Sequence, residues 1–405
     1  MSTLARGIAK KLSYVTETTW GEVPAVLTGA RYLPRVTGQF NVTAEELQSA
    51  EIRTDRQVEN YRLGMRSGEG SINAELSPGI YDDFFAAALT KDFAVGGSTT
   101  GAEVSIAASG DFFTITRSSG SWLTDSFYVG NVVRMTGAGL DPKNVGNNIL
   151  VLSMTATVLT VKTLGDNELV AEGPIAAVNV AVVGKQTYAP LTGHTSKSFV
   201  FEEFFSDLSI SELSTGLVLG SLAVQLPTSG FCTADMSFQG KGKMITGASQ
   251  VMSAATSKSG TGSTVSVSGA VVVNGVPAGV ITSADFTIDR GLTPANVIGT
   301  NHAVGIFDGR ITVTGSISTY FDSGTYRDYF LNENRISLVL ALSTGSEKDA
   351  NVLTFVMPTI QLGSSTRNDG EEGLIQDHSF QALLNSDTST GLVASTLLVQ
   401  DTTLV

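Results

Sequence analysis

The sequence predicts an all-β protein with short helices, in which one order of elements occurs twice and a small β module interrupts its first occurrence. Three observations lead there. The 43 glycines sit among abundant Ser, Thr and Val, a composition that favours strands and turns over long helices. Alternation of apolar and polar residues with period two dominates most of the chain. A long internal repeat carries the same motifs in the same order.

The repeat is visible residue by residue. Gly70, Ser71, Ile72, Gly79, Tyr81, Asp83 and Phe85 return as Gly315, Ser316, Ile317, Gly324, Tyr326, Asp328 and Phe330, at a constant spacing of 245. Upstream the spacing is 246 and pairs Phe40 with Phe286, Val42 with Ile288, Ile52 with Ile298 and Thr54 with Thr300. A second block matches Gln225-Leu226 to Gln361-Leu362 at 136, and Ser237-Phe238-Gln239 to Ser379-Phe380-Gln381 at 142. The shortfalls from 245, 109 and 103 residues, mean that about a hundred residues of the first occurrence have no counterpart in the second.

Taken in order, residues 1–96 and 186–245 form a discontinuous first domain. Its helix is expected over 80–89, where Ile80, Tyr81, Phe84, Phe85 and Leu89 stand near helical spacing. The Gly96-Gly97-Ser98-Thr99-Thr100-Gly101 boundary opens the inserted module at 97–185. Strand-length runs at 112–116, 129–135, 149–154 and 158–161, separated by turn residues, read as a β-barrel or Ig-like sandwich. The first domain resumes near Ser198-Phe199-Val200-Phe201. Residues 246–269, nearly all Ser, Thr, Gly, Ala and Val, read as a linker or exposed loop. The second domain takes 270–405, with a helix at 325–331 carrying Tyr326, Tyr329 and Phe330, and a strand at 336–342 patterned for burial on both faces.

Charge narrows the function. With 25 Lys+Arg against 38 Asp+Glu, the net charge of −13 argues against affinity for a nucleic-acid backbone. The densest basic cluster, Arg6, Lys10 and Lys11, reads as a short arm. The single Cys232 allows no intrachain disulfide and no Cys-ligated zinc, and is expected to be a buried small hydrophobe. Residues 1–11 lack the apolar core of a secretory signal, and runs such as 175–183 are far shorter than the ~20 residues of a membrane helix, so a soluble protein made inside a cell is expected.

No catalytic constellation, metal site or cofactor motif is expected. His194, His302 and His378 lie in no zinc-protease pattern and beside no nucleophile. Gly240-Lys241-Gly242-Lys243 lacks the earlier glycine of a phosphate loop, because Asp235 stands there. Asp82-Asp83, Glu202-Glu203 and Glu371-Glu372 read as solvated faces. Phe199, Phe201, Phe204 and Phe205, interleaved with Glu202 and Glu203, read as core rather than a platform for bases. His302 answers to Arg56 and His378 to Met236 across the repeat, which suits surface or packing roles.

Several stretches carry a family likeness: Glu51-Ile52-Arg53-Thr54-Asp55-Arg56-Gln57, Gly70-Ser71-Ile72 with Glu75-Leu76, Tyr81-Asp82-Asp83, Thr114-Ile115-Thr116-Arg117-Ser118-Ser119-Gly120-Ser121-Trp122, Ser237-Phe238-Gln239-Gly240-Lys241-Gly242 and Ser379-Phe380-Gln381-Ala382-Leu383. In this order they resemble the major tail tube proteins of long, non-contractile-tailed bacteriophages, over nearly the whole chain. The resemblance implies two tandem tail-tube-type β-sandwich domains with a short flanking helix. It further implies homo-oligomeric rings that stack into a hollow tube through which DNA passes without specific binding, and a module that decorates the outside. A tape-measure protein, a tail terminator and baseplate or tail-tip proteins would be its partners, and the virion tail its place after synthesis in the host bacterial cytoplasm.

Two tube domains per chain would let three chains close a ring with pseudo-sixfold geometry; a ring of six chains is the alternative. Asp55, Arg56 and Gln57 are candidate interface residues, and the second domain departs from them with Asn301, His302 and Ala303, so the two loops are expected to present complementary surfaces. The lumen is expected to be acidic, with the module supplying only −2 of the −13. Residues 246–269 and 363–374 are expected to order on stacking. A capsid- or tail-decorating adhesion protein is the competing class, and a two-carboxylate hydrolase a third.

Overall fold

A computed structural model describes residues 4–257, 262–266, 269–369 and 373–404. Among the described residues the chain is mostly strand, with two short α-helices, Asp82–Ala88 and Thr325–Leu331, in keeping with the composition. Each helix lays aromatic residues on the core: Phe84 and Phe85 are fully buried, and Tyr326 is nearly so.

The central feature is one antiparallel sheet that runs through both halves of the chain. Its first ladder joins Thr37–Gln48 to Tyr61–Glu75, then to Thr233–Gly240, then to the second half of Ile210–Leu226. That last strand also pairs with Ile281–Asp289, which opens a second ladder through Thr312–Tyr320 to Ile375–Ala382. The end of Val352–Leu362 and the short strand Thr366–Arg367 pair with the far side of Ile375–Ala382.

The two ladders keep the same register. Gly70 stands between Phe40 and Phe238, and Gly315 stands between Phe286 and Phe380. The register also revises one match in the repeat. Leu362 lies opposite Phe380 as Leu219 lies opposite Phe238, so Leu362 answers to Leu219 and not to Leu226. Thr366 opposite Asp377 and Ala223 opposite Asp235 give the same offset of 143, which equates Gly220-Ser221 with Gly363-Ser364. The two blocks of the repeat then agree to one residue on the length of the insertion.

Side chains alternate across the sheet as the pleat requires. One face carries Ile72, Met236, Leu222, Ile288 and Val313 in one cross-strand row and Ala234, Val224, Phe286, Gly315 and Phe380 in another, all against the main core. Ile210–Leu226 is long enough to leave this sheet: its first half pairs with Ser198–Phe205 and Lys243–Gly247, which with Lys10–Thr16 cover the core from the other side. Phe199 and Phe201 are fully buried there and pack on Phe84, while Phe204 and Phe205 are only half-buried. In the second half, Ile336–Ser343 is buried along its whole length, with Leu338 and Leu340 on the main core and Val339 and Ala341 on a separate cluster.

That separate cluster is where the inserted strands dock. Six strands between Ser98 and Val182 close into a barrel around Trp122, Ile115, Val133 and Val151. On the outside of the barrel, Val132, Leu150 and Leu152 pack against Val339, Val352, Val356 and Leu398. Gln400, fully buried, seals the joint by donating to the Val132 and Val183 carbonyls at 2.9 and 2.7 Å and accepting from Val132 N at 2.8 Å.

The described part of 246–269 is exposed at most positions and pinned to the core at two: Met252 and Thr264 are fully buried, and Thr264 donates to Leu76 O at 3.0 Å. Residues 258–261 and 267–268 lie outside the described residues. One expectation fails here: Glu202-Glu203 is not a solvated pair. Glu202 is fully buried because its carboxylate accepts from Ser211 Oγ, Val251 N and Met252 N at 2.6 to 2.7 Å, and Glu203 is held by Lys10 Nζ. Glu371-Glu372 lies outside the described residues.

Candidate functional site: the polar face of the sheet

Facing away from the main core, the through-running sheet presents polar residues in continuous cross-strand rows. Gln39, Ser71, Ser237, Ser221, Asp289 and Thr312 form one row, each opposite the next. Asn73, Asp235, Ala223, Thr287, Thr314 and Gln381 form the next, and Glu75, Thr233, Gln225, Asp285, Ser316 and Ser379 the third. Every one of these side chains is exposed or half-buried. Four of them, Glu75, Asp235, Asp285 and Asp289, carry a carboxylate, and none is Lys or Arg.

The carboxylates on this face are held by neutral donors. Asn73 Nδ2 and Gln225 Nε2 donate to Asp235 at 2.5 and 3.3 Å, Ser316 Oγ donates to Asp285, and Ser318 Oγ donates to Asp377 at 2.6 Å. With no cation opposite, the negative charge of the row is directed to whatever faces the sheet. Such a surface repels a phosphate backbone and offers no base-reading donor array.

The candidate interface residues sit beyond one end of this sheet and in two different settings. Asp55, Arg56 and Gln57 occupy the exposed turn between Thr37–Gln48 and Tyr61–Glu75. Arg53 grips Asp55 at 3.0 Å and also pairs with Glu59; its hydrogen bonds hold the Asp55 carboxyl below its usual range. Asp55 Oδ1 accepts from Gln57 N at 3.3 Å, and Arg56 adopts a left-handed φ of 59°. Asn301 and His302 instead fold back on the first ladder: Arg66 N donates to Asn301 O at 2.8 Å, and His302 Nδ1 lies 3.1 Å from Lys241 O. The structure therefore brings Asn301 and His302 to Arg66, and leaves Asp55, Arg56 and Gln57 outside that contact. Near both loops one apolar side chain is wholly exposed, Ile52 in the first and Ile298 in the second.

The remaining titratable residues have structural surroundings. Cys232 is fully buried, and burial raises its thiol pKa. His378 is fully buried beside Tyr326, with ring centroids 5.5 Å apart and neither ring nitrogen hydrogen-bonded; burial lowers its pKa. Arg290, 1% exposed, donates to Leu219 O at 3.1 Å and pairs with Asp308, tying the second ladder to the first. Among the described residues, no cluster of His, Cys, Asp or Glu could hold a metal ion, and no helix is long and apolar enough to cross a membrane.

The rows of the polar face were missed by sequence reasoning, although their signal is present. In Ser237-Phe238-Gln239 and Ser379-Phe380-Gln381 the outer two residues face away from the core and the phenylalanine faces it. A family model described as phage tail tube protein matches residues 7–382 of the chain. No curated protein matches it.

Proposed function

Since the chain belongs to the phage tail tube protein family, we propose that it is a structural subunit that assembles into stacked rings whose lumen conducts DNA into the host cell. The observation that carries this reading is the sheet that crosses from the first half of the chain to the second with one polar, acidic face. That face lines the lumen. DNA slides along a wall of Ser, Thr, Asn, Gln and carboxylates that offers no cation to hold a phosphate.

Two tube domains lie in tandem, 1–96 with 186–245 and then 270–405, and the equal register of the two ladders supports this division. The barrel within 97–185 decorates the outer side, since it packs on Val339, Val352 and Val356, away from the polar face. Three chains supply six domains and close a ring of pseudo-sixfold symmetry. The turn at Asp55, Arg56 and Gln57 reaches the adjacent ring, and the Asn301 and His302 loop presents a different surface there. Tape-measure, terminator and tail-tip proteins fill and cap the tube, and the subunit is made in the host cytoplasm. The function calls for neither an active site nor a cofactor.

Negative-stain electron microscopy of the purified chain at rising concentration tests the reading. Hollow stacked rings with threefold averages are expected. Solid particles, or rings whose lumen is lined by Lys and Arg, would overturn it.

A further inference from the structure

The seam inside the chain specifies a second seam between chains. Within the chain, the end of Ile210–Leu226 pairs with Ile281–Asp289, so that Ser221 faces Asp289, Ala223 faces Thr287 and Gln225 faces Asp285. The counterparts of both edges are open. By the register of the ladders, residues 221–225 correspond to 364–368, and 285–289 correspond to 39–43. Among the described residues, Thr366–Arg367 pairs only with Ile375–Ala382, and Thr37–Gln48 only with Tyr61–Glu75. Gln39, Asn41, Thr43, Thr366, Arg367 and Asn368 are all exposed.

We propose that residues 364–368 of one chain pair antiparallel with residues 39–43 of a second copy, with Ser364 opposite Thr43, Thr366 opposite Asn41 and Asn368 opposite Gln39. This deepens the tube reading and rests on it for the second copy as partner. The occupant follows from the sheet itself, because the only surface shown to fit such an edge is the equivalent strand of this same chain. The contact is head-to-tail, with different strands on the two sides, the kind of interface that repeats around a ring when the rotation per chain closes. Gly38 bounds the seam at one end, where its carbonyl already accepts from Lys10 Nζ at 2.6 Å.

The two seams differ in chemistry. On the core side of the internal seam, Leu222 and Val224 lie against Ile288 and Phe286, all fully buried. At the open edge their places are taken by Ser365 and Arg367, with the Arg367 guanidinium over the Phe321 ring at 4.8 Å. The seam between chains is therefore held by backbone ladder bonds more than by apolar burial. A charged edge also discourages pairing with unrelated strands before assembly.

Cysteine cross-linking in the full chain tests the register. Asn41→Cys and Thr366→Cys place thiols on exposed positions, and the native Cys232 is too buried to compete. Oxidation with diamide under assembly conditions is expected to link most chains into covalent multimers that end at the trimer in isolated rings. The mismatched pair Thr43→Cys and Asn368→Cys, about 14 Å out of register at ~3.4 Å per residue, is expected to stay unlinked. Hollow rings in which the matched pair does not link, or the mismatched pair does, overturn the seam and leave the tube reading standing. Linked chains without hollow particles keep the seam and overturn the tube reading. Chains that remain monomeric and unlinked at every concentration overturn the seam.

Discussion

The ring of Phe40 lies over Gly70, so close that a Cβ on Gly70 would come within 2.3 Å of Phe40 Cδ1. Phe40 in turn stacks on Phe201 with centroids 4.3 Å apart, which leaves the ring no room to retreat. Gly70→Ala is therefore expected to overpack the core and cost about 1–3 kcal/mol. Chemical denaturation would measure it, and adding Phe40→Leu should recover part of the loss. An Ala variant as stable as the parent would show that the ring moves freely.

The equivalent glycine in the second ladder meets a harder wall. A Cβ on Gly315 would stand 2.1 Å from Asp285 O as well as 2.6 Å from Phe380 Cζ, and a backbone carbonyl cannot rotate away as a ring can. Gly315→Ala is expected to cost more than Gly70→Ala in the same denaturation series. Equal costs would mean that the contact with the phenylalanine dominates at both sites.

His378 gives the protein an acid-side weakness. Burial holds its folded pKa below the ordinary 6.5, so below that pH the unfolded chain binds a proton that the folded chain does not. Its contribution to stability is present above pH 6.5 and is lost as pH falls through the window from 6.5 down to the folded pKa. His378→Met, which installs the residue that Met236 supplies in the first ladder, should remove this slope while keeping the packing. Denaturation midpoints from pH 7.5 to pH 5 would check it. A variant whose pH profile parallels the parent's would sink the assignment.

How much of this was legible in the sequence depends on how local the cause is. The helix at Thr325–Leu331 and the doubly buried strand Ile336–Ser343 followed from spacing alone, because helical and strand periods are local. Gly70 and Gly315 stood out through the repeat, though not the aromatic rings that fix them. The match of Gln361-Leu362 to Gln225-Leu226 misled because an identical dipeptide outweighed the quieter Gly-Ser pair, whose offset of 143 differs from the dipeptide's 136 by seven residues; the register shift between Leu219 and Ser221 is set by cross-strand pairing. Burial of Glu202 was hidden for a similar reason, since its donors at Val251 and Met252 lie about fifty residues on. The polar rows combine strands from residue 39 to residue 381, and only the folded sheet aligns them.

Gln400 clamps the barrel to the second half of the chain. Its amide satisfies the Val132 N–H and the carbonyls of Val132 and Val183, and all of these bonds would be lost in Gln400→Ala. The Val132 carbonyl keeps the Val183 N–H at 3.0 Å, while the Val132 N–H and the Val183 carbonyl lose their Gln400 partner at about 1–3 kcal/mol each, so the variant should lose on the order of 3 kcal/mol overall. Limited proteolysis should then cut first in the segments that enter and leave the barrel, near residues 96 and 184. Cleavage there at the parent's rate would mean that the apolar contacts of Val132, Leu150 and Leu152 hold the barrel unaided.

The charge of the polar face should govern passage and leave assembly alone. Asp285 and Asp289 lie on the strand that bridges the two halves, half-buried and exposed respectively, and their side chains point away from the core. Replacing both with Lys changes the face by four charges per chain without touching an apolar contact, so rings and tubes should still form. A lumen so altered would attract the phosphate backbone, and binding that rises steeply as salt is lowered is the signature of counterion release. Tubes of the variant are therefore expected to retain short double-stranded DNA at low salt, where parent tubes do not, and to release it as salt increases. If parent and variant tubes retain DNA equally, this face does not line the channel.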